Sequence, residues 1–299
     1  MSGGTPVQGP EREKYVYRTQ EGKSTVKNCI KQQIKKRYPQ LVSAYHEYRN
    51  KQLYKGFKAK RSPFGFDFIG SEAMQDGTFE PVETSIIKSE LAHSDVFIDI
   101  GANVGYFVCL SKSLRKKTIA VEPLADNLNY LYANLKLNGW EDVEVFPVGL
   151  AEKPGLADLY GGTTAASLLS GWAGNSEIWK RTIPLSTLDI ILGQRFVGQQ
   201  IFIKIDVEGA EYEVLKGASI PLTMTPKPTW LLEICLTELH PEGLNPNFKS
   251  IFELYWKNGY QAVSVGENSR VVTPEDVQRW VVNRTRDFGY VSYLFKEGV

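Results

Sequence analysis

The chain has 299 residues, 42% hydrophobic and 23% charged, with 35 Lys and Arg against 34 Asp and Glu. That is the composition of a globular protein able to bury one sizeable core. It has no run of apolar residues long enough for a membrane-spanning helix, and its cysteines, Cys29, Cys109 and Cys235, are too scattered for a disulfide framework or a Cys-based zinc site.

The near-neutral total hides an asymmetry. Residues 23–61 hold twelve Lys or Arg and one acid, Glu47, while the rest of the chain holds 23 basic and 33 acidic residues. Met1–Pro10 is small, polar and Gly-rich and lacks the apolar core of a signal peptide. Residues 1–22 are expected to be flexible, and the scattered cysteines make a reducing cytoplasm the expected location. From Ser24, Val26, Ile30 and Ile34 repeat at helical spacing among lysines, and after Pro39 a second amphipathic stretch carries Leu41, Val42, Tyr45, Tyr48 and Leu53. Residues 23–61 therefore read as a basic helical arm, and 62–299 as the main domain. Such an arm is suited to peripheral contact with an anionic membrane. No nucleic acid is expected, because the body is acidic and no base-reading module is visible. Residues 56–84 read as short strands or loops.

From Asp95 a βαβαβ alternation begins. Val96–Ile100, Thr118–Val121 and Val143–Phe146 read as strands, separated by a helix ending near Leu114 and by a second with Leu124, Leu128, Leu131 and Leu135 on one face. Pro154-Gly155 turns between two short strands. Gly161–Asn175 is a long Gly/Ser/Thr-rich loop, with Trp172 and Trp179 near its end. A loop of that length in a compact domain is usually functional or disordered. Ile201–Ile205, a helix from Ala210 to Lys216, Trp230–Ile234, a helix over Asn247–Asn258, and closing strands Gln261–Val265 and Tyr290–Phe295 complete the pattern. The fold class is α/β: a doubly wound, mostly parallel sheet with a helical N-terminal appendage.

Three motifs carry chemistry. Asp99-Ile-Gly-Ala-Asn-Val-Gly105 follows a strand and opens a helix, the place where a helix N-terminus meets a ligand. Gly101 and Gly105 are spaced Gly-x-x-x-Gly, unlike the Gly-x-Gly-x-x-Gly of dinucleotide binders. An Asp beside them suits a ligand that is cationic there, such as the amino acid end of S-adenosylmethionine. Glu122, 21 residues after Gly101, stands where an acid grips ribose hydroxyls. Asn103 and Gly149 complete the candidate cofactor-binding set. The third motif is Lys204-Ile-Asp-Val-Glu-Gly-Ala-Glu211. Lys204 and Asp206 project to one face of a strand end, and Asp206 and Glu208 straddle the turn beyond it. Glu211 is read as a helix N-terminal cap. Glu233, at the next strand's end, is a further catalytic candidate, and His240 is weighed as a base. Asp206, Glu208 and Glu233 are also weighed as oxygen ligands of a divalent cation, but no metal site is assigned.

These residues carry a resemblance. Phe97–Phe107, Val121-Glu-Pro123, Thr187-Leu-Asp189, Ile203–Glu211 and Leu215-Lys-Gly217 resemble the FkbM-type S-adenosylmethionine-dependent methyltransferases, and Gly77-Thr-Phe-Glu-Pro81 resembles the segment before their first motif. The resemblance implies a class I, Rossmann-like methyltransferase with a seven-stranded sheet whose last strand is antiparallel. It also implies methylation, usually on a hydroxyl oxygen, of a small-molecule, glycan or glycolipid acceptor. Asp99, Gly101 and the ribose acid Glu122 would then hold S-adenosylmethionine, with Lys204, Asp206, Glu208 and Glu233 facing the acceptor. Two other classes are weighed beside it: a nicotinamide-dependent oxidoreductase, and a cofactor-binding regulator without turnover.

Overall fold

Every side chain of Val96–Ile100 and of Ile201–Ile205 is buried. Strands roofed by helices on both faces have this pattern, because neither face can carry a polar residue without a partner. A computed structural model describes residues 37–38, 58–266 and 269–298. The flexible N-terminus expected at 1–22 and nearly all of the basic arm lie outside the described residues.

The described body opens with a hairpin, β1 (Lys60–Arg61) and β2 (Asp67–Phe68), and a helical turn, α1 (Glu72–Gln75). Lys60 and Arg61, placed by sequence at the end of the arm, thus belong to the body, where they pair antiparallel with Phe68 and Asp67. Then follow α2 (Pro81–Ala92), β3 (Val96–Ile100), α3 (Tyr106–Ser113), β4 (Lys117–Val121), α4 (Ala125–Leu137) and β5 (Glu144–Phe146). The middle of the chain holds β6 (Gly149–Leu150), β7 (Gly155–Tyr160), β8 (Lys180–Ser186) and α5 (Leu188–Leu192). The last part holds β9 (Ile201–Ile205), α6 (Glu211–Lys216), α7 (Ser219–Thr223), β10 (Thr229–Glu233), α8 (Phe248–Lys257), β11 (Tyr260–Ser264), β12 (Val271–Val272), α9 (Pro274–Asn283) and β13 (Ser292–Glu297).

The main sheet has the order β5-β4-β3-β9-β10-β13-β11-β12. From β5 to β10 all neighbours are parallel, and β13 runs antiparallel to both β10 and β11. The expected seven strands are present, with the last antiparallel. An eighth, the two-residue β12, is added as an antiparallel edge through a hairpin from β11. The order reverses between β3 and β9. A crevice therefore opens beyond the carboxyl ends of these two strands.

Two helices of ten or more residues, α2 and α9, have no counterpart in the sequence reading. α2 starts on Pro81 with no side-chain cap from Glu80, so the usual Ser/Thr/Asp/Asn start signal is missing. Its Ile87 and Leu91 are buried against Phe97 and Phe202 in the core on one face of the sheet. α9 does carry its signal: Thr273 and Asp276 form a capping box, with Pro274 in the first turn. The core on the opposite face joins Ile98, Ile203 and Leu232 to Leu188, Val214 and the aromatic residues of α8. β6, β8 and β7 form a separate small sheet, which packs Leu159 and Ile183 on Leu124.

Candidate active site

Asp99 on β3 lies in register with Lys204 on β9, at the point where strand order reverses. The turn after Asp99 folds back on β4: the N–H groups of Gly101 and Ala102 both donate to the Val121 carbonyl, at 2.9 and 3.0 Å. Gly101 has φ +84°, and a Cβ there would sit 1.8 Å from the Asp206 carbonyl oxygen. The glycine is thus demanded by the crossing of two strand-end turns, before any ligand is considered. Gly105, at φ +87°, starts α3 and lies close to Leu131 of α4, whose Cγ would be 3.2 Å from an added Cβ.

Glu122 closes the other side of that turn. Its carboxylate accepts the N–H of Asn103 and of Leu124, both at 2.8 Å, and the Asn127 amide at 3.3 Å. Burial pushes it up to about 7, against the pull of those donors. An ionised carboxylate has about four acceptor positions, so room is left for a hydroxyl. Buried nearby, Asp99 Oδ1 and Asn103 Oδ1 have no hydrogen-bond partner among the described residues. Buried oxygens left without a donor are costly. They fit a ligand that brings N–H or O–H groups to this turn.

Lys204 is buried, and its Nζ donates to Asp206 Oδ2 at 2.9 Å and lies 5.2 Å from the centre of the Phe107 ring. Burial alone would weaken its hold on the proton. Asp206, Asp99 and Glu80 outweigh that and raise its pKa. Glu208 has the left-handed φ of 55°. Its Oε2 accepts the Trp172 indole N–H at 2.6 Å, and its backbone carbonyl accepts Ser167 Oγ at 2.5 Å. Burial, then Asp206, pushes its carboxyl up to about 8. Burial also holds Glu233 well above the usual range, helped by Asp206, Glu208 and Glu80. Asp99 is raised to about 6 for the same first reason. The structure therefore brings Asp99, Lys204, Asp206, Glu208 and Glu233 into one electrostatic cluster at the crevice.

Other expected residues have different tasks. Glu211 accepts the Gly209 N–H at 2.9 Å, in keeping with a capping role. Trp172 is an anchor and does not offer its face to a ligand. It is 1% exposed and lies so flat on Gly209 that a Cβ there would be 2.6 Å from Cε3. His240 meets the Trp172 ring edge-on at 6.2 Å, and its Nδ1 accepts the Glu242 N–H, so it packs behind the anchor. Gly149 lies in β6, where a Cβ would strike Leu185 and Ile183 at 2.8 and 2.9 Å; this packing accounts for the glycine. Among the described residues no three His, Cys, Asp or Glu side chains are grouped to hold a metal ion. Asp206 is turned to Lys204 and Glu208 to Trp172, so the weighed oxygen-ligand trio is not assembled.

Sequence reasoning missed Glu80. The segment Gly77–Pro81 carries the family resemblance, but the sequence assigns Glu80 no task. In the structure Glu80 joins the cluster, electrostatically coupled to Lys204, Asp206 and Asp99. An acid immediately before a helix-starting proline was the only local sign.

A family model described as the methyltransferase FkbM domain matches residues 99–262. No curated protein matches the chain. Among solved structures, the chain is similar to a precorrin-6y C5,15-methyltransferase from Geobacter metallireducens GS-15, with 12% identity, a TM-score of 0.37, and 71% of this chain and 84% of that chain covered. It is similar to a ribosomal protein L11 methylase from Lactobacillus delbrueckii subsp. bulgaricus, with 8% identity, a TM-score of 0.38, and 73% and 77% covered. It is also similar to a SAM dependent methyltransferase from Aquifex aeolicus, with 15% identity, a TM-score of 0.32, and 62% and 86% covered.

Proposed function

The chain belongs to the FkbM methyltransferase domain family and is an S-adenosylmethionine-dependent methyltransferase, and we propose that it methylates a hydroxyl oxygen on a sugar, glycolipid or secondary metabolite. S-Adenosylmethionine supplies a methyl group already activated on sulfonium, so alignment accounts for much of the rate. Asp99, Asn103 and the turn between Gly101 and Gly105 would hold its amino acid end, and Glu122 its ribose. A hydroxyl must lose its proton as it attacks, so a base must stand at the acceptor.

The observation that carries this reading is the division of labour among the carboxyls. Asp206 is fixed by Lys204 at 2.9 Å and Glu208 by Trp172 at 2.6 Å, which suits both to orienting an acceptor. Glu233 is left among the described residues with electrostatic neighbours: Asp206, Glu208, Glu80 and Lys204. Burial and the neighbouring acids raise the proton affinity of Glu233, so in its ionised form it is a stronger base than an ordinary carboxylate, and Glu233 takes the proton. The resemblance supports oxygen as the acceptor atom.

The test supplies methyl-labelled S-adenosylmethionine and cellular small-molecule and lipid extracts, and identifies the labelled product by mass spectrometry. A methyl ether is expected. Glu233→Gln should lower its formation by about 100-fold or more, with Asp206→Asn also impaired. A label on nitrogen, carbon or RNA would overturn the hydroxyl reading. Tight donor binding with no labelled product from any extract would favour the regulator without turnover.

A further inference from the structure

Asn127 is a polar side chain buried to 2% exposure in the first turn of α4, where it caps nothing. Its Nδ2 donates twice, to Glu122 Oε1 and to the Thr163 carbonyl, both at 3.3 Å. Its Oδ1 is buried and has no partner among the described residues. Both neighbours of the amide nitrogen are acceptors, which fixes the orientation of the amide. A buried oxygen without a donor costs stability. What the side chain contributes is therefore its pair of N–H groups, which bridge the ribose acid to a loop 36 residues further along the chain.

That loop, 161–179, spans the crevice as one braced piece. Tyr160 and Ser167 exchange backbone hydrogen bonds at 2.8 and 3.0 Å, and Asn175 Nδ2 donates to the Ala165 carbonyl at 2.7 Å. One end rests on the first turn of α4: besides the Asn127 bridge, Arg181 reaches Asp126 at 3.2 Å and the Gly161 carbonyl at 3.5 Å. The other end rests on the acceptor side. Ser167 Oγ and the Trp172 indole both donate to Glu208, and the Ala173 N–H donates to the Leu239 carbonyl at 2.9 Å. At these contacts Thr163, Ala173, Glu208 and Leu239 have φ of 54°, 51°, 55° and 60°. Left-handed backbone is uncommon outside glycine and an outlier for a β-branched residue such as Thr163. Such strain persists only where the surroundings impose it, so the contacts at both ends hold the loop in its seat.

We propose that Asn127 is a positioning residue that passes donor binding to the acceptor side: ribose hydroxyls on Glu122 tighten its bridge to Thr163, which seats loop 161–179 and with it Trp172 and Glu208. The proposal rests on the donor role of Glu122 and the acceptor role of Glu208 given above. Hydroxyls that donate to Glu122 favour its carboxylate form. Bonds to a carboxylate are shorter and stronger than neutral ones, and hydrogen bonds in a chain polarise one another. The carboxyl that orients the acceptor is thereby in place when a methyl donor is. By linkage, an acceptor that seats the loop holds the donor more tightly by the same factor.

The test uses the full chain and two saturating probes. S-Adenosylhomocysteine and 5′-methylthioadenosine both carry adenine and ribose, and only the first carries the amino acid end. Amide hydrogen exchange, read by mass spectrometry, follows residues 163–176, with α8 as the measure of any stabilisation of the whole chain. In the wild type each probe should slow exchange in the loop by about fivefold or more beyond the change in α8, the lower end of ordinary coupling between sites. In Asn127→Ala, compared at equal occupancy, the slowing should fall below about twofold. A purely structural role would instead speed exchange equally with and without probe, leaving their ratio unchanged. A folded Asn127→Ala that keeps the wild-type ratio therefore overturns the proposal. So does a wild type that binds the probes with no slowing in the loop beyond that in α8, a result that requires no variant. Slowing by S-adenosylhomocysteine alone, with methylthioadenosine bound and silent, also overturns it, since the signal then starts from the amino acid end. A wild type that binds neither probe overturns the donor site itself, and the proposal with it.

Discussion

Glu122 accepts two backbone N–H groups and an amide, yet burial still pushes it up to about 7. Glu122→Ala removes the ribose acid and also strands the Asn103 N–H. Donor affinity should fall by about 1–3 kcal/mol, measured by calorimetry; unchanged affinity would remove Glu122 from the site. The same burial acts on stability. Asp99 is raised to about 6, Glu211 to about 7, and Glu208 and Glu80 to about 8. Each folded pKa exceeds its unfolded value near 4, so the native state holds more protons than the unfolded chain between about pH 4.5 and 8. Stability is greatest at the low end of that window and is lost as pH rises through the folded values. The melting temperature of the ligand-free protein should therefore be higher at pH 6 than at pH 8.5. Glu211→Gln should flatten the slope. A melting temperature that rises with pH over this interval would show that these carboxyls are ionised in the native state. None of this is legible in sequence. The residue types and their places at strand ends are, but the burial that moves their protons comes from the folding together of Glu80, Asp99 and Asp206, residues far apart in the chain.

At the scale of elements, the sequence reads best where periodicity and burial agree. Val96–Ile100 and Ile201–Ile205 form strands over the bounds their apolar runs predict, and the stripe of Leu128, Leu131 and Leu135 is buried along α4. α2 was missed because a left-handed Glu80 replaces the usual capping residue. Gly101 shows a subtler limit. Its place in a Gly-x-x-x-Gly turn that opens a helix points to a ligand. The atom that needs the space is the Asp206 carbonyl oxygen, 1.8 Å from where a Cβ would lie. This separates two glycines that the motif treats alike. Gly101→Ala should disrupt the meeting of the β3 and β9 turns and cost about 3 kcal/mol or more, from overpacking together with backbone strain. Gly105→Ala, whose Cβ would meet the Leu131 side chain at 3.2 Å, should cost about 1–2 kcal/mol, chiefly for its positive φ. Denaturant melts without ligand measure both. Equal, small losses would return the role of Gly101 to the ligand.

Across the whole molecule, charge is divided between a basic segment and an acidic body, with twelve Lys or Arg and one acid in residues 23–61. The structure sets where that segment ends. The Lys58 carbonyl accepts the Gln75 amide at 2.8 Å, Lys60 is paired with Asp76, and Lys60–Arg61 forms β1. A truncation at 61 would strip β1 from its partner and confuse loss of charge with damage to the body. Removal of residues 1–57 keeps these contacts and takes away nine of the twelve basic residues. No helix among the described residues is long and apolar enough to cross a membrane. Each Lys or Arg near an anionic leaflet adds about 1 kcal/mol, and salt screens it within about 10 Å at 0.1 M. The full chain is therefore expected to sediment with anionic liposomes at low salt and to stay in solution at high salt or with neutral liposomes. The chain lacking residues 1–57 should stay in solution throughout while binding S-adenosylhomocysteine as the full chain does. Equal sedimentation of the two chains would place the contact on the body. Full-length protein that ignores anionic liposomes at low salt would overturn the membrane reading of the basic segment.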